Sequence, residues 1–298
     1  MSALFTLGHR LNHLFFRSPL TRRKMRKLGL RVLASRPYVA YKRKQLIKLG
    51  PNLTEEDKKT IAKISCCISP SDTMFDGDVP SYFLVGLSAQ QAIDAVLKHC
   101  PVLVVQTILD FPSGCGRVGR YLAARFPKAE ITACDLDREM VDFCAEEFGM
   151  VPVYSQTDFD KINFGQKYDL IWCGSLMTHL NAEAILHLLR LFDRHLKPKG
   201  VVVFTTQGDY VANCLKTSDD WPYLISKEAA KRAVETYSER DFAFSPYIGK
   251  TESEQYGLSL TAPIWIRSQC ASIRNWKELL FCPQGWDNHQ DVYGYSKE

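Results

Sequence analysis

The chain has 298 residues, of which 46% are hydrophobic and 24% charged, with a formal net charge of +5. That composition suits a globular protein with a real core, and no run approaches the ~18 apolar residues of a membrane span. The charge is unevenly spread: residues 1–50 hold thirteen Lys or Arg and no acid, which leaves −8 over the remaining 248 residues.

Leu4, Leu7, Leu11 and Leu14 recur at helical spacing, and a cluster from Arg22 to Lys27 follows. This is the pattern of a basic amphipathic helix. It suits an anionic membrane surface, an arm packed on its own domain or on a second copy, or an organelle targeting peptide. His9, Arg10, Asn12 and His13 interrupt any secretory core, so the expected location is cytoplasmic, with the inner membrane face as a peripheral site. No nucleic-acid reader motif is present, and no nucleic-acid partner is expected. The ten cysteines form no CxxC pair, which points to reduced, apolar use and against a zinc site.

The expected organisation is a basic extension over 1–53, a helical cap over 54–100 and a catalytic α/β domain over 101–298. Thr54 and Asp57 are spaced as a capping box, and Ser88 with Gln91 gives a second such signal for a helix reaching Cys100. A strand closes at Asp110, and a helix is predicted over 117–126. A strand over 129–134 ends at Asp135. Asp137 caps a helix that stops at Gly149. Strands over 151–154, 168–173 and 200–206, with a helix over 182–195, complete an alternation that implies a parallel sheet covered on both faces. Residues 208–260 are polar and aromatic without a clear period. They are too long for a plain loop and read as a substrate-side insertion with short helices of its own. Thr261 is the expected cap of a helix at Pro263, and strands over 276–282 and 291–295 close the chain as a hairpin.

The central motif is DFPSGCGRVGRYL, from Asp110 to Leu122, between a strand and a helix. Its small residues let backbone approach a ligand, and the helix start offers free N–H groups. Gly114, Gly116 and Gly119 match GxGxxG, which fits a dinucleotide or S-adenosylmethionine equally. Three details favour the second. Asp110 precedes the glycines, where a carboxylate would repel a pyrophosphate but serve a cationic amino group. Asp135 ends the next strand and can accept from both ribose hydroxyls, as it also could in an NAD enzyme. The closing hairpin follows the fifth parallel strand.

These segments, with ITACDLDREMVDFCAEEFG, YDLIWCGSLMTHL, LKPKGVVVFTTQG, YGLSLTAPIW and GWDNHQDV, carry a resemblance. From about Asp72 onward the chain resembles the class I S-adenosylmethionine-dependent methyltransferases, and within them a bacterial subgroup associated with glycosyltransferases and polysaccharide biosynthesis. The resemblance implies a Rossmann-like, seven-stranded, mostly parallel sheet with an antiparallel last strand. It implies that Asp110, Ser113, Gly114, Cys115 and Gly116 cradle the methionine end of the cofactor, that Asp135 holds the ribose and that Leu136 packs beside adenine. It places Thr157 and Asp158 at the adenine edge and Cys173, Gly174 and Ser175 beside the sulfonium. Tyr82 either closes over the cofactor or packs in the core. His179 stands at the rim, as a general base for a hydroxyl acceptor or as a residue that orients the following helix. The GWDNHQ loop is a structural turn or part of the acceptor pocket. Trp221, Tyr223, Tyr237, Tyr247 and Tyr256 offer stacking faces for a sugar, or the core of a small cap. The implied partner is a saccharide or small-molecule acceptor.

Overall fold

The structure is a computed structural model that describes residues 29–50, 52–101, 103–218, 223–248 and 256–298. The leucine-spaced basic stretch before residue 29 and Trp221 lie outside the described residues. Helices α1 (Arg36–Leu49), α2 (Glu55–Lys63) and α3 (Val79–Leu97) come first. The α2 capping box forms as its sequence requires: Asp57 N donates to Thr54 Oγ1 at 3.1 Å, and Thr54 N donates to Asp57 Oδ2 at 2.9 Å. The α3 start departs from expectation. The helix is capped by Asp78 and begins nine residues before Ser88, whose hydroxyl donates to Val85 O inside the helix. Pro80 in the first turn and the apolar run Tyr82–Leu87 hold that earlier start against a core of Val39, Leu46, Ile61 and Phe83.

The α/β unit then runs β1 (Thr107–Asp110), α4 (Gly119–Arg125), β2 (Glu130–Asp135), α5 (Arg138–Phe148), β3 (Val151–Tyr154), β4 (Tyr168–Cys173), α6 (Ala182–His195) and β5 (Leu196–Thr206). After it come α7 (Asp209–Thr217), α8 (Lys227–Arg240), β6 (Phe242–Pro246), β7 (Gly257–Thr261), α9 (Pro263–Ala271), β8 (Trp276–Trp286) and β9 (Gln290–Lys297). The main sheet has the order β3-β2-β1-β4-β5-β9-β8. Its first five strands pair in parallel, and β9 inserts antiparallel between β5 and β8. This is the class I methyltransferase fold. Strand β4 is buried at every residue, with Leu170 and Trp172 in one core layer and Ile171 and Cys173 in the other. That continuous burial is what helices on both faces of a parallel sheet produce.

The insertion is more ordered than its aperiodic sequence suggests. Helices α7 and α8 and the antiparallel pair β6–β7 share one small core around Val211, Tyr237 and Leu258. Thr261 belongs to β7 and does not cap α9; Ala262 stands at the cap position, and Pro263 supplies the preset φ. All ten cysteines are free, five of them buried. Among the described residues no helix is long and apolar enough to cross a membrane, and no metal-binding cluster occurs.

Because β2 and β3 lie on one side of β1 and β4 on the other, the strand order reverses between β1 and β4. Ligands of open α/β sheets bind outside the strand ends at such a reversal, and the candidate site lies there.

Candidate active site

A cleft of about 540 Å³ opens at the C-terminal ends of β1, β2 and β4. Its floor is the loop after β1. Gly114 and Gly116 have φ of +51° and +69°, and a Cβ on Gly116 would meet Phe148 at 2.4 Å. Only glycine fits such a position without strain. The turn is pinned from the neighbouring strand: Ser113 N donates to Cys134 O at 2.9 Å, and Gly114 N donates to Asp135 Oδ2 at 2.9 Å. The second Asp135 oxygen accepts from Asp137 N at 3.2 Å. Two backbone donors therefore aim this carboxylate and leave it lone pairs for a diol.

Asp110 is 1% exposed, and its Oδ2 has no hydrogen-bond partner. Burial, and then the nearby Asp135 carboxylate, push its carboxyl well above the usual carboxylate range. A buried carboxylate oxygen with no partner is costly by itself. A cation in the cleft would offset that cost by favouring the ionised form. Cys115 also lines the cleft, with its thiol pushed up to about 12 by burial and then by Asp72. Leu136 and Met140 form an apolar wall, and Leu136 is 59% exposed at the mouth.

The opposite wall follows β4. Gly174 is wedged where a Cβ would sit about 3 Å from both Trp172 and Trp286. Those indoles meet edge to face at 5.4 Å, and Trp286 Nε1 donates to Val85 O. Ser175 has φ of +66° and is held in a closed ring. Its N–H donates to Thr205 Oγ1 at 2.8 Å, Thr205 donates to Gln290 Oε1 at 2.6 Å, and Gln290 Nε2 donates to Ser175 Oγ at 3.0 Å. The short turn Met177–His179 follows. His179 Nδ1 lies 2.8 Å from Tyr247 Oη and 3.2 Å from Gly257 O, and the ring stacks on Tyr256 at 5.0 Å. The insertion thus frames His179, through β7 and the residues beside it.

Most of the expected residues line this one cleft: Asp110, Ser113, Gly114, Cys115, Asp135, Leu136, Thr157, Gly174, Ser175 and His179. Gly116 shapes the turn from beneath. Three others stand elsewhere. Tyr82 is buried behind the wall, donating to Asp72 Oδ2 at 2.6 Å and lying against the Arg120 guanidinium. Asp158 caps the turn Phe159–Lys161 and pairs with Lys161 at 2.8 Å, and Thr157 and Phe159 face the cleft on either side of it. Cys173 is buried beneath the floor, because strand alternation turns it away while Gly174 meets the cleft. Sequence reasoning passed over Asp72, Arg117 and Trp172, which line the cleft, and Gln290, which braces it. Arg117 sits inside the glycine motif, so it carried a signal; Gln290 depends on a contact 115 residues away.

In the GWDNHQ loop, Trp286 is both packed and cleft-lining. Asp287 N donates to Ser88 Oγ at 3.2 Å, and His289 lies 3.2 Å from Tyr223 Oη. Burial lowers the His289 imidazole below its usual range, against the raising pull of Asp287.

The chain is similar to known methyltransferases. Residues 108–200 match the family model described as "Methyltransferase domain". A malonyl-[acyl-carrier protein] O-methyltransferase from Anoxybacillus flavithermus is 28% identical over 123 residues, 41% of this chain and 47% of that protein. A ubiquinone biosynthesis O-methyltransferase from Rickettsia canadensis is 26% identical over 154 residues, 50% of this chain and 63% of that protein. The chain spans about half the length of the curated relatives it matches. A solved S-adenosylmethionine-dependent methyltransferase from Clostridium acetobutylicum is 16% identical, with a TM-score of 0.47 over 70% of this chain and 91% of that one. The matched segment, residues 108–200, runs from β1 to the first residues of β5, so the likeness falls on the strands and turns that build the cleft.

Proposed function

We propose that this protein moves the methyl group of S-adenosylmethionine to a hydroxyl of a saccharide or glycoconjugate. The observation that carries the cofactor reading is the buried, unpartnered Asp110 oxygen beside the aimed Asp135 carboxylate. Together they match an ammonium and a ribose diol. Leu136 and Met140 supply the apolar wall for an adenine ring, and Thr157 its polar edge. S-Adenosylmethionine brings an electrophilic methyl carbon on a sulfonium. The protein's part is chiefly alignment: Gly174 and Ser175 line the β4 wall, and the ring through Thr205 and Gln290 keeps that wall in register.

His179 is the proposed base. With a proton on Nδ1 donated to Gly257 O, its lone pair lies on Nε2. There it would take the acceptor hydroxyl proton as the acceptor oxygen bonds the methyl carbon and the C–S bond to the sulfonium breaks, its electron pair leaving on the sulfur of the thioether product. The stacked Tyr256 and the bonded Tyr247 hold the ring and offer aromatic faces to a sugar. The names of the curated relatives, both O-methyltransferases, support oxygen as the atom modified. A small metabolite, a lipid or an amine is the competing acceptor class, and an amine would need no base of this kind once neutral.

Incubating the protein with methyl-labelled S-adenosylmethionine and separated saccharide, lipid and small-metabolite fractions tests this reading. Label should enter the saccharide fraction. His179→Ala should slow that transfer by about 10²-fold or more while leaving cofactor affinity within about twofold. Label confined to another fraction would overturn the acceptor assignment, and full turnover in the variant would overturn the base.

For the N-terminal segment we propose contact with an anionic membrane surface, supported by the eight Lys or Arg and the absence of acids among residues 1–35. The portion from Arg36 onward is helix α1, which buries Val39 and Leu46 on its own domain. The membrane reading therefore concerns the residues before it.

A further inference from the structure

The cleft holds a carboxyl oxygen without a partner at Asp110, and it also holds a cation that, among the described residues, makes no hydrogen bond and no ion pair. Arg117 follows Gly116 in the glycine turn, lines the same cleft and is half-buried. Among the described residues its guanidinium makes no hydrogen bond and no ion pair. It lies over the Tyr82 ring at 5.8 Å, and Asp287 in the hairpin loop attracts it without contact. The other acid at this end, Asp72, is committed: its Oδ2 accepts from Tyr82 Oη and its Oδ1 from Met74 N at 2.8 Å.

A guanidinium has five donors and cannot discharge by losing a proton. Leaving it half-buried and unbonded forfeits charge-assisted hydrogen bonds that an anion would make. Asp110 stands in the mirror situation. A single ligand group satisfies both, namely an α-amino acid zwitterion, whose ammonium meets Asp110 and whose carboxylate meets Arg117. We infer that Arg117 binds the carboxylate of the methionine moiety and so makes the cleft select ligands with an intact amino-acid terminus. This rests on the proposed cofactor reading and extends it to a residue and a specificity. It also gives Tyr82 a part in binding. The ring does not touch the ligand; it carries the Arg117 guanidinium on one side and fixes Asp72 through its hydroxyl. Tyr82 is then a positioning residue for Arg117.

Decarboxylated S-adenosylmethionine keeps the sulfonium and the ammonium and lacks only the carboxylate, so it isolates the proposed contact. Calorimetric titration of the full-length protein should show wild type binding S-adenosylmethionine at least about tenfold more tightly than the decarboxylated form, the scale expected for hydrogen bonds to a charged group. Arg117→Ala should weaken S-adenosylmethionine by about 10- to 100-fold, leave the decarboxylated form within about twofold and so erase the preference. Arg117→Lys should restore part of it, since the charge remains and the bidentate fork does not. A wild-type protein that binds both ligands equally would overturn the assignment, and so would an Arg117→Ala protein that weakens both alike or keeps the wild-type preference. Wild-type protein that binds neither ligand would overturn the cofactor reading itself. The wild-type comparison needs no variant to fold, and thermal unfolding establishes the fold of each variant used.

Discussion

Asp110 shows how one residue can be legible in type and hidden in consequence. Its place before the glycines indicates a carboxylate serving a cation, but only the structure shows that its Oδ2 is buried without a partner. That burial, with Asp135 nearby, raises its folded pKa. A carboxyl in the unfolded chain titrates near ~4, so the stability tied to this group is complete below about pH 4 and is lost as pH rises through the raised folded value. In cofactor-free protein, the melting temperature of wild type relative to Asp110→Asn should fall from pH 4 toward neutrality. Saturating S-adenosylhomocysteine, whose ammonium favours the ionised carboxylate, should stabilise wild type more than the variant. A difference that stays constant with pH, with equal ligand stabilisation of both proteins, would contradict this role. Cys173 is the opposite case. Its residue type and position suit a site, but strand alternation turns it into packing.

At the scale of elements, periodicity located the strands and helices from β1 to β5, helped by apolar strand runs such as Tyr168–Cys173 and by the visible caps Asp137 and Asn181. It failed where local signals compete. The Ser88 cap signal lost to Pro80 and a longer apolar face, and the insertion concealed β6 and β7 because both are short and β7 is buried throughout. The brace on β4 was equally hidden, because Ser175, Thr205 and Gln290 come from three distant segments. Gln290→Leu should break two of the three hydrogen bonds and leave the Thr205 and Ser175 hydroxyls without it. Since Thr205 is fully buried, the expected cost is about 1–3 kcal/mol in denaturant unfolding. Methyl transfer should fall more than cofactor affinity, because the strained Ser175 turn leads directly into His179. Unchanged stability and turnover would show the ring to be dispensable.

For the whole molecule, sheet order and methyltransferase motif agree, whereas the basic segment follows a separate logic. Deleting residues 1–50 would remove Val39 and Leu46 from the core, so the membrane reading is tested by deleting residues 1–28 alone. Full-length protein should co-sediment with vesicles rich in phosphatidylserine and release at high salt. The shortened protein should stay in solution and still bind S-adenosylhomocysteine, and equal sedimentation of the two would remove the membrane from the account. The glycine turn alone would serve NAD as well, so the central claim rests on Asp110 and Asp135 acting on one ligand. Calorimetric titration of the full-length protein with S-adenosylhomocysteine and with NAD tests it most directly, repeated on Asp135→Ala. The account predicts saturable binding of S-adenosylhomocysteine, at least about tenfold weaker in the variant, and no comparable binding of NAD. Preferential binding of NAD, or S-adenosylhomocysteine affinity unchanged in Asp135→Ala, would contradict it.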